Sequence, residues 1–258
     1  MEKYKRMPAL FIGHGSPMNA IEDNVYSRTW KEIAEEFPKP NAILAISAHW
    51  YTNGTKINDQ PEPEMVYDMY GFPEELYKVK YNPQGAPELA HITKSMISRD
   101  VKIDNSWGYD HGTWSVLCNM YPDADIPVYQ LSIDRNEAPE IHLQIGREIS
   151  SLRDQGVLIL GSGNVVHNLS RVNWNMQVGY PWADEFDSYV NDKIQTGKFE
   201  DIINYRRAGS CADLAFTIPD HFYPLLYVLG AVKDGDKLSI YNNSRTLGSL
   251  SMTSYLFE

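Results

Sequence analysis

Cysteine is scarce in this chain, which has only Cys118 and Cys211 among its 258 residues. Secreted domains commonly contain several paired cysteines, and these two form no CxxC pair, so we expect both to be reduced. Long hydrophobic runs are also missing, because no stretch approaches the ~20 apolar residues that a membrane helix needs. The segment before Gly13 is too short for the apolar region of a signal peptide. Together these absences predict a cytoplasmic protein without a membrane segment.

An excess of positive charge is absent as well. The chain has 23 Lys and Arg against 34 Asp and Glu, and its basic residues are scattered. Nucleic-acid binding needs clustered basic residues that neutralise phosphates, so we expect no nucleic-acid partner. The HExxH, GxGxxG, GxSxG and P-loop motifs are missing too, which argues against a serine hydrolase and a nucleotide-binding site.

What the chain does contain is an ordinary globular composition. Hydrophobic residues make up 43% and charged residues 22% of it, enough apolar material for a core of normal size. The sequence has neither repeats nor a low-complexity linker, and its length suits one large domain. We therefore predict a single catalytic domain over residues 1–258, present as a monomer or a weak homo-oligomer.

Short apolar runs alternate with helix-like segments. Runs without polar alternation are typical of strands buried on both faces, and they cover residues 9–12, 42–46, 126–131 and 157–160. Proline and glycine signals predict helices at residues 28–37, 87–98, 142–155 and 224–232. This alternation predicts an α/β fold with a mostly parallel or mixed central sheet flanked by helices. Residues 52–84 show no period and predict a long loop, a feature that is often functional.

Histidines follow three of the predicted strands. His14, His49 and His167 lie at or shortly after the carboxyl ends of their apolar runs. Open α/β sheets bind ligands outside these strand ends, where turns aim side chains at a shared cleft. Imidazole binds Zn and Fe alike, so we predict that His14 and His49 hold one divalent metal ion. A histidine such as His167 is also the natural acid or base near neutral pH.

A structural interpretation stays open for each of these residues. His14 fits an exposed turn between glycines, His49 a core-edge residue bonded to a carbonyl, and His167 a helix start. His221 is either a third metal ligand or the neighbour of Asp220, which is a candidate helix N-cap.

Three further histidines have different surroundings. His111 lies among aromatic residues in a segment, 107–114, that is predicted to be a glycine-bounded loop lining a site. Asp110 is one candidate for orienting its ring. His91 and His142 lie in helix-like segments with polar neighbours, so we predict that both are on the surface.

The motifs around these histidines resemble a known family, the class III extradiol ring-cleavage dioxygenases of the LigB-like superfamily. Within that class they resemble the 4,5-DOPA dioxygenase extradiol branch. The resemblance covers nearly the whole chain and rests on five motifs: 13–18 (GHGSPM), 47–50 (SAHW), 107–112 (WGYDHG), 162–169 (SGNVVHNL) and 220–225 (DHFYPL).

The resemblance implies a set of roles for these residues. His14, His49 and His221 would bind the metal, with His221 standing where the wider class has a glutamate ligand. Asp220 is the alternative third ligand if a carboxylate is retained. His167 would be the acid or base beside the metal and a possible additional ligand, and His111 would line the substrate site.

The resemblance also implies the chemistry. The expected reaction is the opening of a catechol such as DOPA by O2, with Fe(II) required for activity and Zn(II) as an inactive occupant of the purified protein. Two other functions are weighed against it: a zinc-dependent hydrolase, and a non-enzymatic Memo-like binding protein on the same scaffold. The missing glutamate base weighs against the first, and the presence of all five motif histidines against the second.

Overall fold

The structure is a computed structural model that describes residues 6–258. Met1 to Lys5, part of the segment predicted to lack a signal peptide, lie outside the described residues. The strands of the described part are β1 (Ala9–Gly13), β2 (Ala42–Ser47), β3 (Tyr51–Thr52), β4 (Thr55–Ile57), β5 (Val101–Ile103), β6 (Val128–Gln130), β7 (Ile133–Asp134), β8 (Val157–Gly163), β9 (Leu238–Tyr241), β10 (Arg245–Thr246), β11 (Leu250–Ser251) and β12 (Ser254–Phe257). The α-helices are α1 (Val25–Glu35), α2 (Pro87–Met96), α3 (His111–Met120), α4 (Pro139–Ile149), α5 (Pro181–Gln195), α6 (Phe199–Ile203), α7 (Ser210–Ala215) and α8 (Tyr223–Gly230).

Six strands form the central sheet, in the order β6-β2-β8-β1-β12-β9. The first four are parallel to one another, whereas β12 is antiparallel to both of its neighbours. A mixed sheet flanked by helices confirms the predicted α/β class. The carboxyl ends of β1, β8 and β2 meet at one edge, because Gly13 pairs with Gly163 and Ser47 pairs with Ser162.

Two apolar clusters cover the two faces of this sheet. Ala9 and Phe11 of β1 belong to the cluster that includes residues of α4, α5 and α8. Leu10 and Ile12 belong to the cluster that includes residues of α1 and α3. All of β1 is buried, which explains why its sequence lacks the polar alternation of a half-exposed strand.

The four predicted helices are present with small shifts at their ends. α1 begins earlier than predicted because Asn24 and Ser27 form a capping box. α4 begins at its proline and continues as a 3-10 helix (Ser150–Gln155), which ends at Gly156 with a φ of 83°. That left-handed glycine is the C-cap that ends the helical segment.

Two sequence-based predictions about single segments are wrong. His142 is fully buried in α4, where its Nδ1 atom lies 2.9 Å from the hydroxyl of Tyr227 in α8, whereas His91 is exposed as predicted. Residues 107–114 are not all loop, because α3 begins at His111.

Residues 52–84 are mostly irregular, as predicted, apart from short strands and a 3-10 turn. No helix within the described range is both long and apolar enough to cross a membrane.

Candidate metal centre

His14 follows β1 directly, in a turn that packs against a distant part of the chain. Its backbone N–H donates to the carbonyl of Gly163, at 3.0 Å, at the end of the neighbouring strand β8. A Cβ on Gly13 would lie 2.6 Å from the carbonyl carbon of Met252. Only glycine at this position allows that close approach, so the end of β1 is fixed from two sides.

His221 is brought to the same edge through the end of β8. The backbone N–H of Asn164 donates to the carbonyl of His221 at 2.9 Å. A Cβ on Gly163 would lie 2.1 Å from that carbonyl oxygen. The glycine that ends β8 therefore allows the turn before α8 to approach the strand ends that hold His14 and His49.

The side chains of His14, His49 and His221 converge at these strand ends. One ligand atom of each ring lies within 4.8 Å of a ligand atom of the other two. The Nε2 atoms of His14 and His49 are 3.3 Å apart. The ring of His221 has its centroid 5.2 Å from that of His14 and 4.9 Å from that of His49.

Ser162 determines which nitrogen of His14 is free. The Ser162 hydroxyl donates its single proton to the carbonyl of Gly112, at 2.5 Å. It must therefore accept from Nδ1 of His14, which lies 2.9 Å away. The proton of His14 sits on Nδ1, and the lone pair on Nε2 faces His49.

The donor set fits a metal ion. A separation of 3.3 Å between the Nε2 atoms of His14 and His49 suits two ligands of one ion with bonds of about 2.1 Å. Nδ1 of His221 is buried without a hydrogen-bond partner, because Asp220 Oδ1, 3.1 Å away, lies outside hydrogen-bond geometry. That Asp220 oxygen instead accepts from the His221 backbone N–H at 2.8 Å. Among residues 6–258, the converging group includes His221 and not Asp220.

Burial keeps His14, His49 and His167 neutral. It lowers the pKa of His14 and of His49 well below the ordinary value, and the neighbouring histidines lower both further. The pKa of His167 is lowered in the same way, first by burial and then by His221. Neutral imidazole is the form that binds a metal ion, so the site is prepared for one at neutral pH.

His167 and His111 each contact a different member of this group. His167 stacks on His221, with ring centroids 3.4 Å apart and planes inclined by 5°. His111 contacts His49, with centroids 3.9 Å apart. The five motif histidines therefore form one continuous cluster of rings at the sheet edge.

Asp68, rather than Asp110, contacts the ring of His111. Oδ2 of Asp68 lies 3.0 Å from Nδ1 of His111. Asp110 is the N-cap of α3 and accepts from the Ser47 hydroxyl at 2.6 Å and from the Trp107 indole N–H at 3.0 Å. Burial and the negative charge of Asp68 raise the pKa of Asp110 to about 6.

Known proteins resemble this chain over most of its length. The family described as the catalytic LigB subunit of aromatic ring-opening dioxygenase matches residues 8–258. The chain belongs to this family. The resemblance expected from the five histidine motifs is thereby confirmed.

Relatives of this LigB-family chain agree with that assignment. A protein of Escherichia coli K12 named 4,5-DOPA dioxygenase extradiol is 44% identical, over 96% of this chain and 94% of the relative. A protein of the same name from Beta vulgaris is 38% identical, over 96% of this chain and 95% of the relative. The crystal structure of an uncharacterized protein from Escherichia coli K12 superposes with a TM-score of 0.86 and 40% identity, covering 98% of this chain and 100% of that one.

Two residues of the LigB-family site, Asp68 and Ser162, were given no role by the sequence analysis. Asp68 lies in the aperiodic segment 52–84, with no motif around it. Ser162 lies inside a quoted motif, but its hydrogen bond to His14 depends on the register of β1 against β8. If the pairing of β1 with β8 had been known, it would have placed Ser162 beside His14. No comparable sequence rule would have placed Asp68 beside the histidines.

Proposed function

We propose that this chain is a metal-dependent extradiol dioxygenase that opens the ring of a catechol, such as DOPA, with O2. The observation that carries the proposal is the convergence of three histidines at the strand ends, inside a chain of the LigB family. Relatives named 4,5-DOPA dioxygenase extradiol support DOPA as the first substrate to test. The proposal treats residues 1–258 as one catalytic domain acting in the cytoplasm, as a monomer or weak homo-oligomer without nucleic-acid or membrane partners.

His14, His49 and His221 are the proposed metal ligands. The lone pair of His14 and the unpartnered Nδ1 of His221 support this set, and Asp220 is the less favoured third ligand. Fe(II) is the proposed active metal: when bound it would supply the redox step between catechol and O2, which Zn(II) with its filled d shell does not supply.

His167 is proposed to accept and return protons beside the metal. Its pKa is lowered by burial and by His221, so its ring is neutral and can take a proton from a catechol hydroxyl. The stack on His221 holds the ring next to the proposed ligands. A direct bond from His167 to the metal remains the secondary proposal for a zinc-loaded protein.

His111 is proposed to line the substrate site. Its Nδ1 atom faces Asp68, so its Nε2 atom is free to accept a hydrogen bond from substrate.

Neither alternative function gains support from the site. The carboxylate beside the site that a zinc hydrolase could use as its base, Asp68, is engaged by two histidines. A binding protein would not need all five histidines.

Reconstitution tests the proposal directly. The metal-free protein is loaded anaerobically with Fe(II) or, as a control, with Zn(II), and DOPA and air are then added. We expect O2 uptake and a yellow ring-opened product with Fe(II) alone. Absence of both signals with DOPA and with simple catechols would contradict the proposal.

A further inference from the structure

One carboxylate lies between two histidines of the site. Oδ2 of Asp68 is 3.2 Å from Nδ1 of His49 and 3.0 Å from Nδ1 of His111. Oδ1 of Asp68 accepts a hydrogen bond of 2.9 Å from the backbone N–H of His111. The Asp68 side chain is only 9% exposed, so little water competes for these contacts. We infer that Asp68 is a positioning residue that fixes the orientation and the tautomer of both rings.

The tautomers follow from the chemistry of the carboxylate. An ionised carboxylate accepts hydrogen bonds and donates none. The His111 proton therefore sits on Nδ1, in a hydrogen bond to Asp68. At His49 a lone pair on Nδ1 would face the carboxylate across 3.2 Å and be repelled, so Asp68 favours the proton on Nδ1 there too. Nε2 of both rings then keeps its lone pair. The lone pair of His49 faces Nε2 of His14 across 3.3 Å. Ser162 gives His14 the same tautomer, so two acceptors face each other, an arrangement that is favourable only with a cation between them.

Without Asp68, His49 is free to adopt the opposite tautomer. With its proton on Nε2, His49 would donate a hydrogen bond to Nε2 of His14 across the same 3.3 Å. The two Nε2 atoms would then be hydrogen-bonded to each other, and a metal ion could bind only by displacing the proton on Nε2 of His49. Asp68 therefore raises metal affinity by excluding a self-paired state of the two ligands. This inference rests on the proposed function only in taking His14 and His49 as metal ligands.

The segment that carries Asp68 is itself held against α3. The backbone N–H of Val66 donates to the carbonyl of Tyr109 at 2.7 Å. The indole N–H of Trp114 donates to the carbonyl of Val66 at 3.0 Å. Residues that hydrogen-bond to metal ligands restrict the orientation of those ligands. Their loss typically weakens metal binding about 10- to 100-fold.

Two other roles for Asp68 compete with this one. The first is a purely structural cap on α3, through the backbone N–H of His111. The second is direct ligation of a separate cation, because ligand atoms of His49, Asp68 and His111 lie within 4.8 Å of one another. Zinc stoichiometry, zinc affinity and ring tautomers together distinguish the three roles.

Zinc affinity provides the first test, with Asp68→Asn compared against Asp59→Asn. Asp59 lies in the same segment and pairs with a histidine at similar distance, 3.1 Å from Nε2 of His91. Competition with a chromophoric chelator gives the Zn²⁺ dissociation constant and the stoichiometry. We expect Asp68→Asn to weaken Zn²⁺ binding about 10- to 100-fold and Asp59→Asn to leave it unchanged. Equal affinity of Asp68→Asn and wild type, or two zinc ions per wild-type chain, would overturn the inference.

Ring tautomers provide the second test. Long-range ¹H–¹⁵N NMR of the zinc-loaded wild-type chain reports which ring nitrogen carries the proton. We expect Nδ1–H at His49 and His111 in the wild type, and a changed tautomer at His111 in Asp68→Asn. A helix cap alone would lower the stability of the variant and leave its tautomers unchanged. Nε2–H at either ring of the wild type overturns the inference, even if the variant fails to fold.

Both measurements are independent of turnover. A chain that opens no catechol but loses zinc affinity on Asp68→Asn contradicts the proposed function and supports this inference. A chain that opens catechols but keeps its zinc affinity on Asp68→Asn supports the proposed function and contradicts this inference.

Discussion

The rings of His167 and His221 lie parallel, with centroids 3.4 Å apart. Two positively charged rings at this distance would repel each other. The pKa of His167 is lowered mainly by burial and then by the neighbouring His221. A proton taken up by His167 is therefore held in an unfavourable position and is readily given back. The stack thus joins the proposed proton acceptor to a proposed metal ligand.

Removal of His167 should separate chemistry from metal binding. We expect His167→Ala to retain its metal and to lose turnover by about 10²- to 10⁴-fold, the usual contribution of a positioned acid or base. Metal content by mass spectrometry and O2 uptake after Fe(II) loading measure the two effects. His91→Ala, at an exposed site, is the control. Full turnover in His167→Ala would contradict the proposed role.

Removal of a proposed ligand should abolish metal retention. His14→Ala and His49→Ala each delete one of two nitrogens that lie 3.3 Å apart. We expect both variants to lose most of their bound metal after dialysis, while circular dichroism shows a folded chain. Unchanged metal content in both would mean that the ligand set is wrong.

A single methyl group at the end of β8 should disturb the site without touching a ligand side chain. In Gly163→Ala, the new Cβ would lie 2.1 Å from the carbonyl oxygen of His221, so the turn must move. We expect a loss of about 1–3 kcal/mol in the free energy of unfolding and at least about tenfold weaker zinc binding. Denaturant unfolding and chelator competition measure these; wild-type zinc affinity would show that His221 is not held by this contact.

His142 should make the protein less stable in mild acid. Burial lowers the pKa of His142 to about 4, whereas the unfolded chain has an ordinary value of about 6.5. The unfolded state therefore takes up this proton first, and the free energy of unfolding falls as pH drops from about 6.5 to about 4. Above that range His142 contributes no pH dependence.

Urea unfolding of the wild type and of His142→Gln between pH 8 and pH 5 measures this effect. We expect the wild type to lose about 2 kcal/mol more than the variant as pH falls from 8 to 5. Parallel stability curves for the two proteins would contradict the assignment.

The buried Arg153 should be essential for stability. Its guanidinium is fully buried and donates to Asp236 at 2.6 Å and to the carbonyls of Met7 and Phe257 at 2.7 and 3.0 Å. Arg153→Met would remove the buried cation from Asp236 and leave only the partly exposed Arg6, 2.9 Å away, to offset its charge, at a cost of about 3–5 kcal/mol. Lys39→Met, which breaks an exposed pair with Asp125, should cost no more than about 1 kcal/mol. Similar losses in urea unfolding for the two variants would contradict this.

The strand ends that carry His14 and His49 were predictable because β1 and β2 are buried on both faces and therefore read as unbroken apolar runs. α3 was not predictable in the same way. All but one of its ten residues are buried, so it lacks the amphipathic period by which a surface helix is recognised. The prediction of a loop around His111 failed for that reason.

Long-range contacts determine the features that the sequence could not indicate. His142 has polar neighbours along the chain, yet α4 packs against α8 and buries it beside Tyr227. Asp68 reaches the histidines only because its segment docks on α3 through Val66. Neither packing leaves a local pattern of residue types, so neither contact could be predicted from spacing or composition.

The position of β12 has a consequence for synthesis of the protein on the ribosome. β12 follows every other strand in chain order, yet it lies inside the sheet, between β1 and β9. Met252, just before it, packs on the turn that presents His14. While residues 252–257 are still inside the ribosome, the nascent chain lacks an interior strand of the sheet. It also lacks the Met252 contact that supports the His14 turn. Metal capture should therefore follow the emergence of residues 252–257, and chains cut short before β12 should lack the proposed metal centre.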